Sequence, residues 1–147
     1  MVRILHLSPS FAVAGQLAAG DFPEIQAQGF KAIIANRPDG ESWTQLSAAK
    51  TEQLAADHGM AFRYLPLVMA DVLEQRTSDA TQAAIDTLPG PVLAFCRSGT
   101  RSAMAWAATA SQSQPVDGVI AALKQADFEI PGLADELHAR AALKKSS

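Results

Sequence analysis

The sequence predicts an α/β domain with a parallel-type central sheet and helices on both of its faces. Three observations predict it. Short apolar runs alternate along the chain with stretches of helix-forming composition. The run PVLAF, residues 91–95, is apolar throughout and starts at a Pro-Gly-Pro turn, and 48% of the 147 residues are hydrophobic. A strand that is apolar at every position has both faces covered, as in a parallel sheet packed between helices. A chain of this length fits one domain, 1–147, that buries roughly 70% of its unfolded surface and needs neither a disulfide nor a structural metal.

Element by element, VRILHL and FAVAGQ read as short strands near the start of the chain. Asp21 is the expected N-cap of a short helix reaching about residue 28, and Gly29 its stop. KAIIAN, 31–36, is the next strand, and NRPDGE, 36–41, is a loop punctuated by Pro38 and Asp39-Gly40. SAAKTEQLAADH, 47–58, has helical composition with Ser47 as cap and Gly59 as stop, and AFRYLPL, 61–67, reads as a strand. VMADVLEQR, 68–76, reads as a loop. Thr77 is then the expected cap of a helix ending near Leu88, against Pro89-Gly90-Pro91. After PVLAF, the segment SAMAWAATA, 102–110, is apolar on nearly every side and should be a buried helix with Trp106 as its one large group. Two more helices, about 116–126 and 131–144, complete the pattern.

A formal charge of −3 argues against a general binder of nucleic acid or of anionic membranes and restricts positive potential to a local site. No apolar run approaches the ~18 residues of a membrane span. MVRILHLSPS lacks the apolar core and cleavage site of a signal peptide, and a lone cysteine suits a reducing compartment, so the expected location is the cytoplasm. His6, His58 and His138 lie far apart, without metal-ligand spacing, and no Gly-rich nucleotide motif is present. Neither a metal nor an organic cofactor is expected.

Chemistry is expected in AFCRSGTRSAMA, 94–105. In parallel sheets ligands bind beyond the carboxyl ends of the strands, and Cys96 stands at such an end. The loop that follows, Arg97, Ser98, Gly99 and Thr100, contains a permissive glycine and leads through Arg101 to a helix at Ser102. A loop of this kind can turn its amides inward beside a helix N-terminus, making an anion cradle that favours thiolate over thiol. Arg101 can grip two oxygens of a tetrahedral oxyanion with its planar fork, and Ser102 can hydrogen-bond the thiolate. Arg97 is expected at the rim. The alternative is a small buried cysteine followed by an ordinary polar turn, but two arginines at the end of a buried strand need a compensating anion.

CRSGTRS resembles the C-x4-R loop of rhodanese-type sulfurtransferases. The loop of protein tyrosine and dual-specificity phosphatases is C-x5-R, whereas here the sixth residue after Cys96 is Ser102, and Phe95 stands where those phosphatases have histidine. Over residues 5–110 the chain also resembles a bacterial family of dual-specificity-phosphatase-like fold, described either as beta-lactamase-hydrolase-like phosphatases or as rhodanese-like sulfur transferases. VAGQL at 13–17, NRPDGE at 36–41 and GPVLAFCRSGTRSAMAWA at 90–107 carry that resemblance. It implies a phosphatase-like fold and, because some members are fused to a persulfide dioxygenase, a role in handling sulfide and persulfide.

Loop length puts sulfur transfer through a Cys96 persulfide first. Phosphate ester hydrolysis through a Cys96 phosphocysteine is the alternative, with Asp71 as proton donor by its place in the phosphatase order of elements, and a non-catalytic oxyanion-binding module is a third possibility. Arg37, at the end of a neighbouring strand, is expected to line the pocket, with Asn36 and Asp39 shaping its loop. The expected partner is a small sulfur- or phosphorus-containing anion, or a phosphorylated or persulfidated protein.

Overall fold

The computed structural model describes residues 2–146, so Met1 and Ser147 of the expected domain lie outside the described residues. Five strands form one sheet: β1 (Ile4–Ser8), β2 (Phe11–Ala14), β3 (Ala32–Ala35), β4 (Ala61–Tyr64) and β5 (Val92–Phe95), in the order β1-β2-β5-β3-β4. Helices α1 (Phe22–Ala27) and α2 (Ala48–Asp57) lie on one face; α3 (Gln75–Thr87), α4 (Thr100–Ala110), α5 (Val116–Gln125) and α6 (Leu133–Ser146) lie on the other. Strand alternation divides the core accordingly: Val13, Ile34, Val92 and Ala94 pack toward α3–α6, while Ile33, Leu93 and Phe95 pack toward α1 and α2 with Phe22 and Ile25. Each of these large side chains contributes about 1.5–3 kcal/mol by leaving water. The alanines of α4 let that helix lie close on the sheet, with Trp106 filling the remaining space.

β2, β5, β3 and β4 are parallel, but β1 pairs antiparallel with β2, so the sheet is mostly parallel. The short Pro9-Ser10 link leaves no room for a crossover, so the chain can only fold back as a hairpin. AFRYLPL pairs as a strand only through Tyr64, because Pro66 has no N–H; Leu65 and Leu67 still donate to Ala35 O and Asn36 O, at 2.9 and 2.8 Å.

Three expected caps meet different fates. Ser47 caps α2, its hydroxyl accepting from Lys50 N–H at 3.0 Å. Asp21 does not cap α1: its own backbone is already helical, and its carboxylate accepts from Ala18 N–H at 2.8 Å, bracing a 3-10 turn over Ala19–Asp21. Thr77 lies inside α3, which starts at Gln75, and its hydroxyl donates to Asp71 O at 2.7 Å, tying the helix to a 3-10 turn over Met69–Asp71. Among the described residues, no helix is long and apolar enough to cross a membrane.

Candidate active site

The parallel register sets the site. Ala14 and Ala35 both lie abreast of Phe95, so the segments leaving β2, β3 and β5 emerge side by side at the carboxyl edge. They bring Gly15-Gln16, Asn36-Arg37 and Cys96 together.

Two glycines permit this crowding. A Cβ on Gly15 would lie 3.1 Å from Arg97 O, which already accepts Gln16 N–H at 3.1 Å, so the VAGQL stretch is a floor on which the cysteine loop rests. Gly99 has φ +91°, and a Cβ there would meet the Phe128 ring at 3.4 Å and Ala14 backbone at 3.5 Å. That sharp left-handed turn starts α4 at Thr100, two residues before the expected start.

Cys96 is 1% exposed, and its Sγ accepts the Gly99 N–H at 3.1 Å. This amide stands beside the N-terminus of α4 and aims its dipole at the sulfur. Arg101, the second residue of α4, is mostly buried. Its Nη1 donates to Glu41 Oε2 at 2.7 Å and to Leu67 O at 2.8 Å, and its Nη2 donates to Glu41 Oε1 at 2.8 Å. This end-on pairing leaves the Nε–Nη2 edge of the guanidinium for an oxyanion.

Glu41 also accepts from Arg37 Nε at 3.0 Å, and Arg37 Nη1 donates to Gln16 Oε1 at 3.1 Å. One carboxylate thus joins two arginines. The hydrogen bond from Arg101 pulls the Glu41 carboxyl down from its ordinary 4.5 to about 2, against an opposing contribution from burial and with further help from Arg37. Reciprocally, the bond to Glu41 raises Arg101, and the charge of Cys96 adds to it.

The sign of the linkage follows. A carboxyl depressed on folding contributes stability that is complete above its unfolded value near 4.5 and is lost as pH falls toward 2. With 29% of the Glu41 side chain exposed, the contribution is on the order of 2 kcal/mol. Urea unfolding of the wild type and Glu41→Gln is therefore expected to show a stability gap that is constant above about pH 5 and closes as the pH is lowered further. A gap independent of pH would mean that the ion pairs contribute nothing.

The other expected site residues are now located. Arg37 is buried and lines a cavity of about 670 Å³ with Gln16, Glu41, Ser42, Thr44, Arg97 and Arg101, of which Arg97 is exposed. Ser98 and Thr100 bond each other at 3.1 Å. Ser102 does not touch sulfur. Its buried hydroxyl donates to Asn36 Oδ1 at 2.8 Å, and Asn36 Nδ2 donates to Leu65 O at 2.9 Å, so this pair braces the loops from behind.

Asp39 holds its loop, accepting Ala48 N–H at 2.8 Å and donating its own N–H to Tyr64 Oη at 3.0 Å. Asp71 lies 3.2 Å from Arg76 and lines a separate depression with Leu65, Pro66 and Leu67. Sequence reasoning missed Glu41 and left Gln16 unexplained. Their only signal was membership in the NRPDGE and VAGQL stretches.

Comparison with known proteins agrees with this geometry. The model of the family "Beta-lactamase hydrolase-like protein, phosphatase-like domain" matches residues 3–114. A beta-lactamase hydrolase-like protein of Agrobacterium fabrum is 34% identical over 101 residues, 69% of this chain and 23% of the relative. The chain spans about a quarter of the length of the curated relatives it matches. Among solved structures, a candidate phosphatase from Neisseria meningitidis is similar with TM-score 0.81 and 30% identity, covering 91% of this chain and 95% of that one. P. aeruginosa TpbA, solved in complex with phosphotyrosine, is similar with TM-score 0.52 and 20% identity, covering 85% of this chain and 72% of that one. These likenesses favour cysteine-based phosphatase chemistry over sulfur transfer, reversing the order that loop length suggested. With Cys96 and Arg101 at the carboxyl edge of a sheet of protein tyrosine phosphatase-like fold, the chain belongs to the phosphatase-like domain family of beta-lactamase hydrolase-like proteins.

Proposed function

We propose that this domain hydrolyses phosphate monoesters through a phosphocysteine at Cys96. The observation that carries the proposal is the 3.1 Å bond from Gly99 N–H to Cys96 Sγ at the base of a strand-to-helix loop, which readies the sulfur as a nucleophile. Family membership supports the reading, and the likeness to TpbA, solved with phosphotyrosine, supports a phosphate-bearing ligand.

In the first step the thiolate attacks phosphorus in line, an S–P bond forms, and the P–O bond to the alcohol breaks as that oxygen takes a proton. Water then attacks phosphorus, the S–P electron pair returns to sulfur, and orthophosphate leaves. The free edge of Arg101 and the loop amides hold the equatorial oxygens through both steps. Glu41 orients Arg101 and cannot supply the proton, because a carboxyl held at about 2 is ionised at neutral pH.

We assign the proton to Asp71, on the segment that follows Leu67, whose carbonyl Arg101 binds at 2.8 Å. Asp71→Asn is expected to slow hydrolysis of an alkyl phosphate by about 10²-fold and to change p-nitrophenyl phosphate little, since a good leaving group departs without a proton. Equal rates of the variant and wild type on the alkyl ester would remove Asp71 from the mechanism.

Sulfane sulfur transfer is the second reading. It is favoured by the four-residue spacing from Cys96 to Arg101 and by the ionised state of Glu41, because sulfite leaves thiosulfate without needing a proton. One experiment separates the two: incubate the chain with p-nitrophenyl phosphate and, separately, with thiosulfate, then identify the Cys96 adduct by mass spectrometry. Orthophosphate release with a phosphate adduct is the expected result. One added sulfur atom without orthophosphate release would put sulfur transfer in its place.

A further inference from the structure

Gly99 supplies the amide that meets the Cys96 sulfur, yet nothing in its own chemistry keeps that amide aimed. A glycine passes between positive and negative φ at little cost, and at φ +91° Gly99 has no side chain to anchor it. Its surroundings hold it instead. On one side is β2: the position a Cβ would take lies 3.5 Å from the carbonyl carbon and oxygen of Ala14. On the other side is the Phe128 ring, whose Cζ lies 3.4 Å from the same position. These are contact distances, so the slot beside Gly99 has room for one methyl group at most.

Phe128 is in turn held by the way α5 ends. Asp127 N–H donates to Lys124 O at 3.0 Å and Phe128 N–H to Leu123 O at 2.9 Å, the paired bonds of a Schellman motif. Glycine is the usual residue at the left-handed position of that motif. Here it is Asp127, at φ +66° the one non-glycine residue with positive φ among the described residues. Phe128 and Leu123 line one apolar cavity of about 300 Å³ with Ile120, Ile130 and Leu133, which supplies the hydrophobic contact that accompanies such an ending. Backbone bonds fix where the half-buried side chain starts, and its tip faces Gly99.

We propose that Phe128 is a positioning residue for the cysteine loop: its ring edge keeps the Ser98–Gly99 peptide turned toward Cys96 Sγ, and with it the loop amides that receive an oxyanion. Phe128 is not among the residues lining the cavity of Arg37, Arg97 and Arg101, so it acts through the loop and not on the anion. Its role is the same whether Cys96 takes up a phosphoryl group or a sulfur atom.

The test sets Phe128→Ala beside Val119→Ala, which truncates a buried residue of the same core within α5. Both are expected to lower Tm. Phe128→Ala is expected to speed hydrogen exchange of the Gly99 amide about 10-fold, read by NMR. It should also raise the Kd of orthophosphate about 3- to 10-fold in calorimetry and lower kcat on p-nitrophenyl phosphate about 10-fold. Val119→Ala should leave all three at their wild-type values. Phe128→Met, whose side chain reaches nearly as far as the ring, should restore most of the loss. Phe128→Tyr should not, because the atom facing Gly99 would then carry the hydroxyl.

Wild-type Gly99 exchange and orthophosphate affinity in Phe128→Ala, or the same losses in Val119→Ala, would overturn the proposal. Should Phe128→Ala not fold, the Met and Tyr variants decide, and Gly99 exchange at one rate in both would sink it. If the wild type turns over no phosphate ester, the phosphatase reading fails by itself. Gly99 exchange needs neither substrate nor anion, and it then decides the role of Phe128.

Discussion

Cys96→Ser is expected to lower hydrolysis of p-nitrophenyl phosphate by on the order of 10⁴-fold or more while leaving the fold and anion binding in place. A hydroxyl is scarcely ionised at neutral pH and is a poor leaving group from phosphorus, so both chemical steps fail. The fold is expected to survive because serine is nearly isosteric and Gly99 N–H, now 3.1 Å from sulfur, can donate to the hydroxyl instead. Steady-state kinetics, together with calorimetric titration of orthophosphate into the variant, checks both halves. Residual turnover within about tenfold of wild type would place the nucleophile elsewhere, since one cysteine is all the chain contains.

Arg101→Ala is expected to cost about 10³-fold in kcat/KM, and Arg101→Lys most of that. The guanidinium has to serve three partners at once: Glu41 end-on at 2.7 and 2.8 Å, Leu67 O at 2.8 Å, and the equatorial oxygens of the phosphoryl group on its remaining edge. An ammonium keeps the charge but lacks the planar fork that divides these roles. Losing Arg101 also leaves Glu41 with Arg37 as its one remaining arginine partner, so an anion would meet a carboxylate offset by one guanidinium instead of two. Glu41→Gln should therefore cost much less in the Arg101→Ala background than in wild type, a non-additivity that a double-mutant cycle reads directly. Additive losses would mean that Glu41 does not act through Arg101.

Much of this was legible in consecutive residues. PVLAF announced a strand covered on both faces, SAMAWAATA a helix pressed on the sheet, Ser47 a cap, and Cys96 a position at the carboxyl edge; the structure has each of them. The errors came where a side chain found a different partner from the expected one. Thr77 and Asp21 have the chemistry of caps, yet backbone groups before them in the chain took their side chains. Ser102 sits one turn from the sulfur, but Asn36, 66 residues away, holds its hydroxyl. Trp43 is of a residue type expected to be largely buried, and nothing in its neighbours announced that the loop would hold it outside.

By itself the sequence determined the alternation of strands and helices, the place of Cys96 between a buried strand and a buried helix, and the nearness of Arg101, because backbone propensity and burial pattern act over a few residues. The tertiary structure alone decided that β5 lies between β2 and β3. That strand order brings Gln16, Arg37 and Glu41 to the cysteine loop and joins Glu41 to an arginine 60 residues away. It also decided that Trp43, two residues after Glu41, stands fully exposed. The physical reason is that a charge pair or an exposed aromatic is defined by what surrounds it in space, and those surroundings come from four segments remote in the chain.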